Sequence, residues 1–71
     1  MIIDHGVRTL YMDNLKKGYY LEREGNFDGA LSRYEYALEI ATQFEDNGCI
    51  NQCNKIIAHA KTLKQNDEKT F

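Results

Sequence analysis

Proline is absent from this 71-residue chain. Nothing therefore forces a break inside a helix, and long uninterrupted helices are permitted. Cysteine is scarce, with only Cys49 and Cys53. No leader-like segment opens the chain, since Met1-Ile2-Ile3-Asp4 is too short and meets a charge too soon for a signal peptide. Together these two absences predict a reducing, intracellular, cytoplasmic setting. Apolar runs never exceed a few residues, so no segment reads as membrane-spanning. Net positive charge is missing too. The formal charge is −2, which leaves no electrostatic footprint for a nucleic acid. An opening Met fits either a complete small protein or the first domain of a longer one.

What the chain does have is apolar content. Hydrophobic residues make up 42%, too many for a disordered tail and enough for one core. At this length such a core needs efficient packing, a partner or a staple.

The apolar residues recur with helical period in three segments. The first spans about Asp4 to Glu24, with a main stripe of Ile3, Val7, Leu10, Tyr11, Gly18 and Leu21. A flanking stripe of Met12, Leu15 and Tyr19 widens its apolar arc, as expected of a helix with two neighbours. Asn14 falls inside the main stripe. Gly25-Asn26 reads as a left-handed helix end followed by an N-cap. The second helix then runs to about Glu45, burying Phe27, Ala30, Leu31, Tyr34, Ala37, Leu38, Ala41 and Phe44 on one face. Gly18 and Ala30 are both small, and their pairing is expected to let the two backbones approach closely. Asp46-Asn47-Gly48 is the next break, because Asn and Gly tolerate positive φ. The third helix is predicted from Cys49 to Gln65, with a seam of Cys49, Cys53, Ile56, Ala60 and Leu63 flanked by Ile50 and Ile57. Residues 66–71 read as a frayed polar tail. Short connections make consecutive helices antiparallel. The fold expected over residues 1–65 is an all-α, antiparallel three-helix bundle, a helical hairpin plus a capping third helix.

The turn and second helix carry a resemblance. Gly25, Asn26, Phe27, Asp28, Gly29, Ala30 and Leu31, followed by Tyr34 and Ala37, resemble the corresponding run of MIT (microtubule interacting and trafficking) domains. In the third helix, Cys53, Ile56, Ile57, Ala58, His59, Ala60, Lys61, Thr62 and Leu63 extend the likeness, which covers roughly residues 5–65. A solitary tetratricopeptide-type hairpin is similar to nearly the same degree. The MIT resemblance implies a protein-binding module that docks a short amphipathic helix of an ESCRT polymer subunit between its second and third helices. That family holds a basic ligand residue with acidic side chains on its third helix. This chain has Ala58 and Lys61 there, which implies an acidic ligand residue opposite Lys61.

Chemistry-bearing constellations are few. Cys49 and Cys53, four apart on a core-facing seam, read as packing residues, and the second ligand pair of a zinc site is missing. Ser32, His5 and His59 lie in no nucleophile–base motif. The carboxylates of the second helix are spaced as a solvated face. The expectation is therefore no catalytic residue, no metal and no cofactor. Lys55, Lys61 and Lys64 face the acidic Glu35, Glu39, Glu45 and Asp46 of the preceding segment, which predicts charge complementarity between neighbouring helices.

Surplus apolar residues point to function. Tyr36 lies nearly opposite the core stripe of its helix, Ile40 and Ile57 flank their stripes, and Tyr20 extends beyond that of the first helix. Exposed aromatics favour interfaces. The partner-binding residues expected are Tyr36, Ile40, Ile57, Lys61 and Tyr20. The function expected is a non-enzymatic protein–protein interaction module docking a helical segment or partner surface through helices two and three. The alternatives are a homodimeric structural or adaptor protein and a small stand-alone inhibitor that masks a larger enzyme.

Overall fold

A computed structural model describes residues 5–69. Three helices account for nearly all of them: α1 (His5–Arg23), α2 (Phe27–Gln43) and α3 (Asn47–Lys69). No strand occurs among the described residues. The molecule is an all-α three-helix bundle. The helix start at Asp4 and the stripe position Ile3 fall outside the described residues.

Both connections use the same hydrogen-bonding device. At the end of α1, Gly25 adopts φ +85°. The Gly25 N–H donates to the Glu22 carbonyl at 3.0 Å, and the Asn26 N–H donates to Leu21 at 2.9 Å. These bonds satisfy two carbonyls that a helix end otherwise leaves orphaned. Asn26 then caps α2, its Oδ1 accepting from the Gly29 N–H at 2.9 Å. At the end of α2 the left-handed position falls to Glu45, with φ 53°. The Glu45 N–H donates to Thr42 and the Asp46 N–H to Ala41, each at 3.1 Å. Asp46 caps α3 by accepting from the Cys49 N–H at 3.1 Å. That bond holds the Asp46 carboxyl below the usual carboxylate range.

This second turn sits earlier than the sequence suggested. Asn47 and Gly48 do not form the break; they are the first residues of α3. A side-chain cap at Asp46 and a left-handed Glu45 suffice, so neither is needed for a positive φ. The far end also differs, since α3 continues past Gln65 to Lys69. Thr70 and Phe71 lie outside the described residues.

α2 is the central element. It packs along both neighbours, whereas α1 and α3 barely approach one another through their backbones. The Cα trace is correspondingly long and flat, 46 × 18 × 12 Å. α2 supplies half the core: Ala30, Tyr34, Ala37, Ile40 and Ala41 are all buried. Its alanines admit close approach on both sides. α1 contributes Tyr11 and Leu15, and α3 contributes Cys53, Ile57 and Ala60. Fully burying a side chain such as Ile40 stabilises by roughly 1.5–3 kcal/mol.

The close approach expected between Gly18 and Ala30 has a different partner. A Cβ built on Gly18 would meet the ring of Tyr34 first, closer than van der Waals contact allows. Gly18 is thus the slot that admits the Tyr34 ring beneath α1. Ala30 is fully buried, one turn before Tyr34 on α2.

Buried polar groups are matched. Asn14 donates to the Leu10 carbonyl at 2.9 Å and accepts from Arg33 Nη1 at 3.3 Å. The Tyr34 hydroxyl donates to Glu22 Oε1 at 3.2 Å. Among the described residues, no buried side-chain nitrogen or oxygen lacks a hydrogen-bond partner.

Candidate partner-binding groove

Because α1 and α3 both lean mainly on α2 and touch each other little, an open trough runs between them. One half encloses about 420 Å³ over Leu15, Tyr19, Tyr34, Ile56 and His59, with Glu22 and Lys55 at its edges. The other half encloses about 370 Å³ and is lined by Arg8, Tyr11, Met12, Cys49 and Gln52. On α1 these residues recur at three- and four-residue intervals, from Arg8 through Met12, Leu15 and Tyr19 to Glu22. On α3 the matching row is Cys49, Gln52, Ile56 and His59. Each row is one helix face. From Arg8 to Glu22 the trough is about 21 Å long at the helical rise.

The floor is tied down by tyrosines. The Tyr11 hydroxyl donates to Gln52 Oε1 at 3.0 Å, with the Cys49 carbonyl as a second acceptor at 3.4 Å. The Cys53 thiol donates to the same hydroxyl oxygen at 3.6 Å. These bonds join the first half of α1 to the opening turns of α3. Burial, followed by the contacts with Cys53 and Cys49, raises the Tyr11 pKa far above the ordinary phenol value. Burial and then the nearby Glu22 carboxylate push Tyr34 up to about 12. Burial also raises the Cys53 thiol, so it stays protonated as a small core residue.

Among the described residues, four of the five large apolar side chains that remain exposed lie on α1: Leu10, Met12, Tyr19 and Tyr20. Tyr19, half exposed, forms part of the trough wall. The Arg23 guanidinium lies 5.7 Å from its ring centroid. The Tyr20 ring is tilted against it at 6.0 Å. Such contacts add roughly 0.5–1 kcal/mol each at exposed sites and restrict the Tyr19 rotamer.

The expected partner-binding residues do not assemble into one surface. Ile40 is 6% exposed and Ile57 9%. Both belong to the core and are unavailable to a docked helix. The sequence pattern was ambiguous here, because Cys53 and Ala60 are compatible with a seam through either Ile56 or Ile57. With α2 as the only close neighbour of α3, the buried line runs through Ile57. Ile56 rotates outward to line the trough. Tyr36 is exposed on α2 and does not line the trough. Lys61 borders a separate hollow of about 300 Å³ between α2 and α3, with Leu31 and Lys64. Tyr20 is exposed beside Tyr19. Tyr19, Ile56, Lys55 and His59 were not singled out as site residues. The signal for Tyr19 lay in the flanking stripe of Met12, Leu15 and Tyr19, which is the α1 wall of the trough; the α3 residues carried no comparable signal.

Charge complementarity between α2 and α3 is met by one pair, with a different carboxylate from those expected: no ion pair to Glu35, Glu39, Glu45 or Asp46 occurs among the described residues. Lys64 instead meets Asp28 at 2.7 Å. No group of three or more His, Cys, Asp or Glu residues that could hold a metal ion occurs among the described residues. No helix there is long and apolar enough to cross a membrane. Comparison with known proteins returns no matching family model, no similar curated protein and no similar solved structure.

Proposed function

We propose that this chain is a non-enzymatic protein–protein interaction module whose working surface is the trough between α1 and α3. The observation that carries this reading is the distribution of unburied apolar side chains. Among the described residues, Met12 and Tyr19 are exposed and line the trough, and Tyr20 packs beside Tyr19, while Leu10 on α1 and Tyr36 on α2 are exposed outside it. Anchors of this type are typical of interface centres. Docking along α2 and α3 is the weaker mode, because the isoleucines that would have served it are consumed by the core. An MIT-like or tetratricopeptide-like ancestry remains part of the proposal, supported by the Gly25–Ala37 pattern and by the helical hairpin it closes.

The test is affinity capture from native lysate with the wild type, Tyr19→Asp and Tyr36→Asp in parallel. Both tyrosines are about half exposed, so both variants should fold. Under the proposal, a captured protein is lost with Tyr19→Asp and kept with Tyr36→Asp. The reverse pattern moves the working surface to α2 and overturns the assignment to the trough.

A further inference from the structure

We infer that the trough takes an amphipathic helix whose apolar stripe is flanked by acidic residues. This deepens the function proposed above and rests on it. Three features of the molecule carry it.

The first is shape. The trough is about 21 Å long, which matches a helix of about 14 residues. Its lining is largely apolar at Met12, Leu15, Tyr19 and Ile56. A helical segment presenting side chains at three- and four-residue intervals is the natural complement of two parallel rows with that spacing.

The second is the sorting of charge by element. α1 carries four basic residues (Arg8, Lys16, Lys17, Arg23) against two acidic ones (Asp13, Glu22), a net of +2. α3 carries Lys55, Lys61, Lys64 and Lys69 against Asp67 and Glu68, again +2. α2 has Arg33 against Asp28, Glu35 and Glu39, a net of −2. The overall charge of −2 therefore hides a polar arrangement. The two helices that form the trough are basic, and the helix behind it is acidic.

The third is what faces the trough itself. Arg8 and Lys55 border it, with His59 on the α3 wall. The one carboxylate there, Glu22, already accepts the Tyr34 hydroxyl. The trough lining therefore carries two cations, Arg8 and Lys55, against one carboxylate. Acidic flanks on a bound helix would meet Arg8 at one end and Lys55 further along, which sets both preference and orientation.

Two designed helical peptides test this. They share one leucine stripe of about 14 residues and differ only in carrying Glu or Lys on both flanks. Binding is followed by fluorescence anisotropy to the wild type and to the Arg8→Glu/Lys55→Glu double variant, whose melting curve confirms folding. The Glu peptide should bind at least tenfold tighter than the Lys peptide at low salt. The preference should shrink as salt screens the exposed charges, and the double variant should reverse it. Equal or tighter binding of the Lys peptide overturns the inference, as does an unchanged preference in the double variant. If neither peptide binds while Tyr19→Asp still abolishes lysate capture, the helical occupant is wrong and the interaction module stands. If light scattering shows a dimer that the double variant dissolves, a second copy fills the trough and the acidic helix is overturned.

Discussion

Gly18 shows how much one absent methyl group can govern. The Tyr34 ring fills the space a Cβ would occupy, and the ring's hydroxyl reaches Glu22 on the same helix as Gly18. Gly18→Ala gains helix propensity worth about 1 kcal/mol. It also drives the ring out of its slot, and overpacking of that kind costs about 1–3 kcal/mol. The slot should win, so urea melts should show net destabilisation. A neutral or stabilising result would mean that Tyr34 swings aside freely. The buried tyrosines also set the alkaline limit of stability. Both Tyr11 and Tyr34 have pKa values raised by burial, so the unfolded chain loses its phenolic protons first. Their stabilisation is complete below the unfolded value near 10. It declines as the pH rises, and for Tyr34 the decline ends near its folded value of about 12. Each such group contributes a slope of up to about 1.4 kcal/mol per pH unit in that window. Denaturant melts between pH 9 and pH 12 should steepen accordingly, and Tyr34→Phe should remove its share of the slope.

At the scale of elements, the two connections are chemically unequal versions of one turn. Gly25 enters the left-handed region without a Cβ, while Glu45 does so with one. That conformation costs a non-glycine residue roughly 1–2 kcal/mol. Glu45→Gly is expected to stabilise the fold by up to about 1 kcal/mol, and Gly25→Ala to destabilise it by a similar amount. Thermal melts of the pair should move in opposite directions. The first turn was legible in the sequence because Gly-Asn names both the left-handed residue and the cap. The second was misplaced because Asn47-Gly48 carries the same vocabulary while Glu45 carries none. Hydrophobic period likewise located all three helices but not their rotation. An arc wide enough for two neighbours looks the same whether the second neighbour is a helix or open space. Met12 and Tyr19 have open space, and that is why the trough could not be told from a second packing face. The choice between Ile56 and Ile57 depended on α1 standing away from α3, which no local pattern encodes.

For the whole molecule, α2 is the part on which the rest depends. Every well-packed helix pair includes it, and α1 meets α3 mainly through the Tyr11 hydroxyl and its acceptors. Protection from hydrogen exchange should therefore peak at the buried positions Ala37, Ile40 and Ala41. The outer faces of α1 and α3 should open at lower free energy. Slowest exchange in α3 would contradict the central place given to α2. The same arrangement explains how a chain this small keeps a cleft at all. A tighter bundle would bring α1 onto α3 and bury Tyr19 and Ile56 against each other, gaining stability and losing the surface.

That layout also governs how quickly the chain reaches its native state. Each extensive interface joins helices that are neighbours in the sequence, so most of the stabilising contact forms without waiting for a distant segment to arrive. Loop-closure entropy is small at both turns, and low relative contact order of this kind places helical bundles among the microsecond-to-millisecond folders. With no proline in the chain, slow peptide-bond isomerisation has no site at which to hold up a fraction of the molecules. The α1–α3 link through Tyr11 joins residues 41 apart in the chain, and it is the contact that would close last.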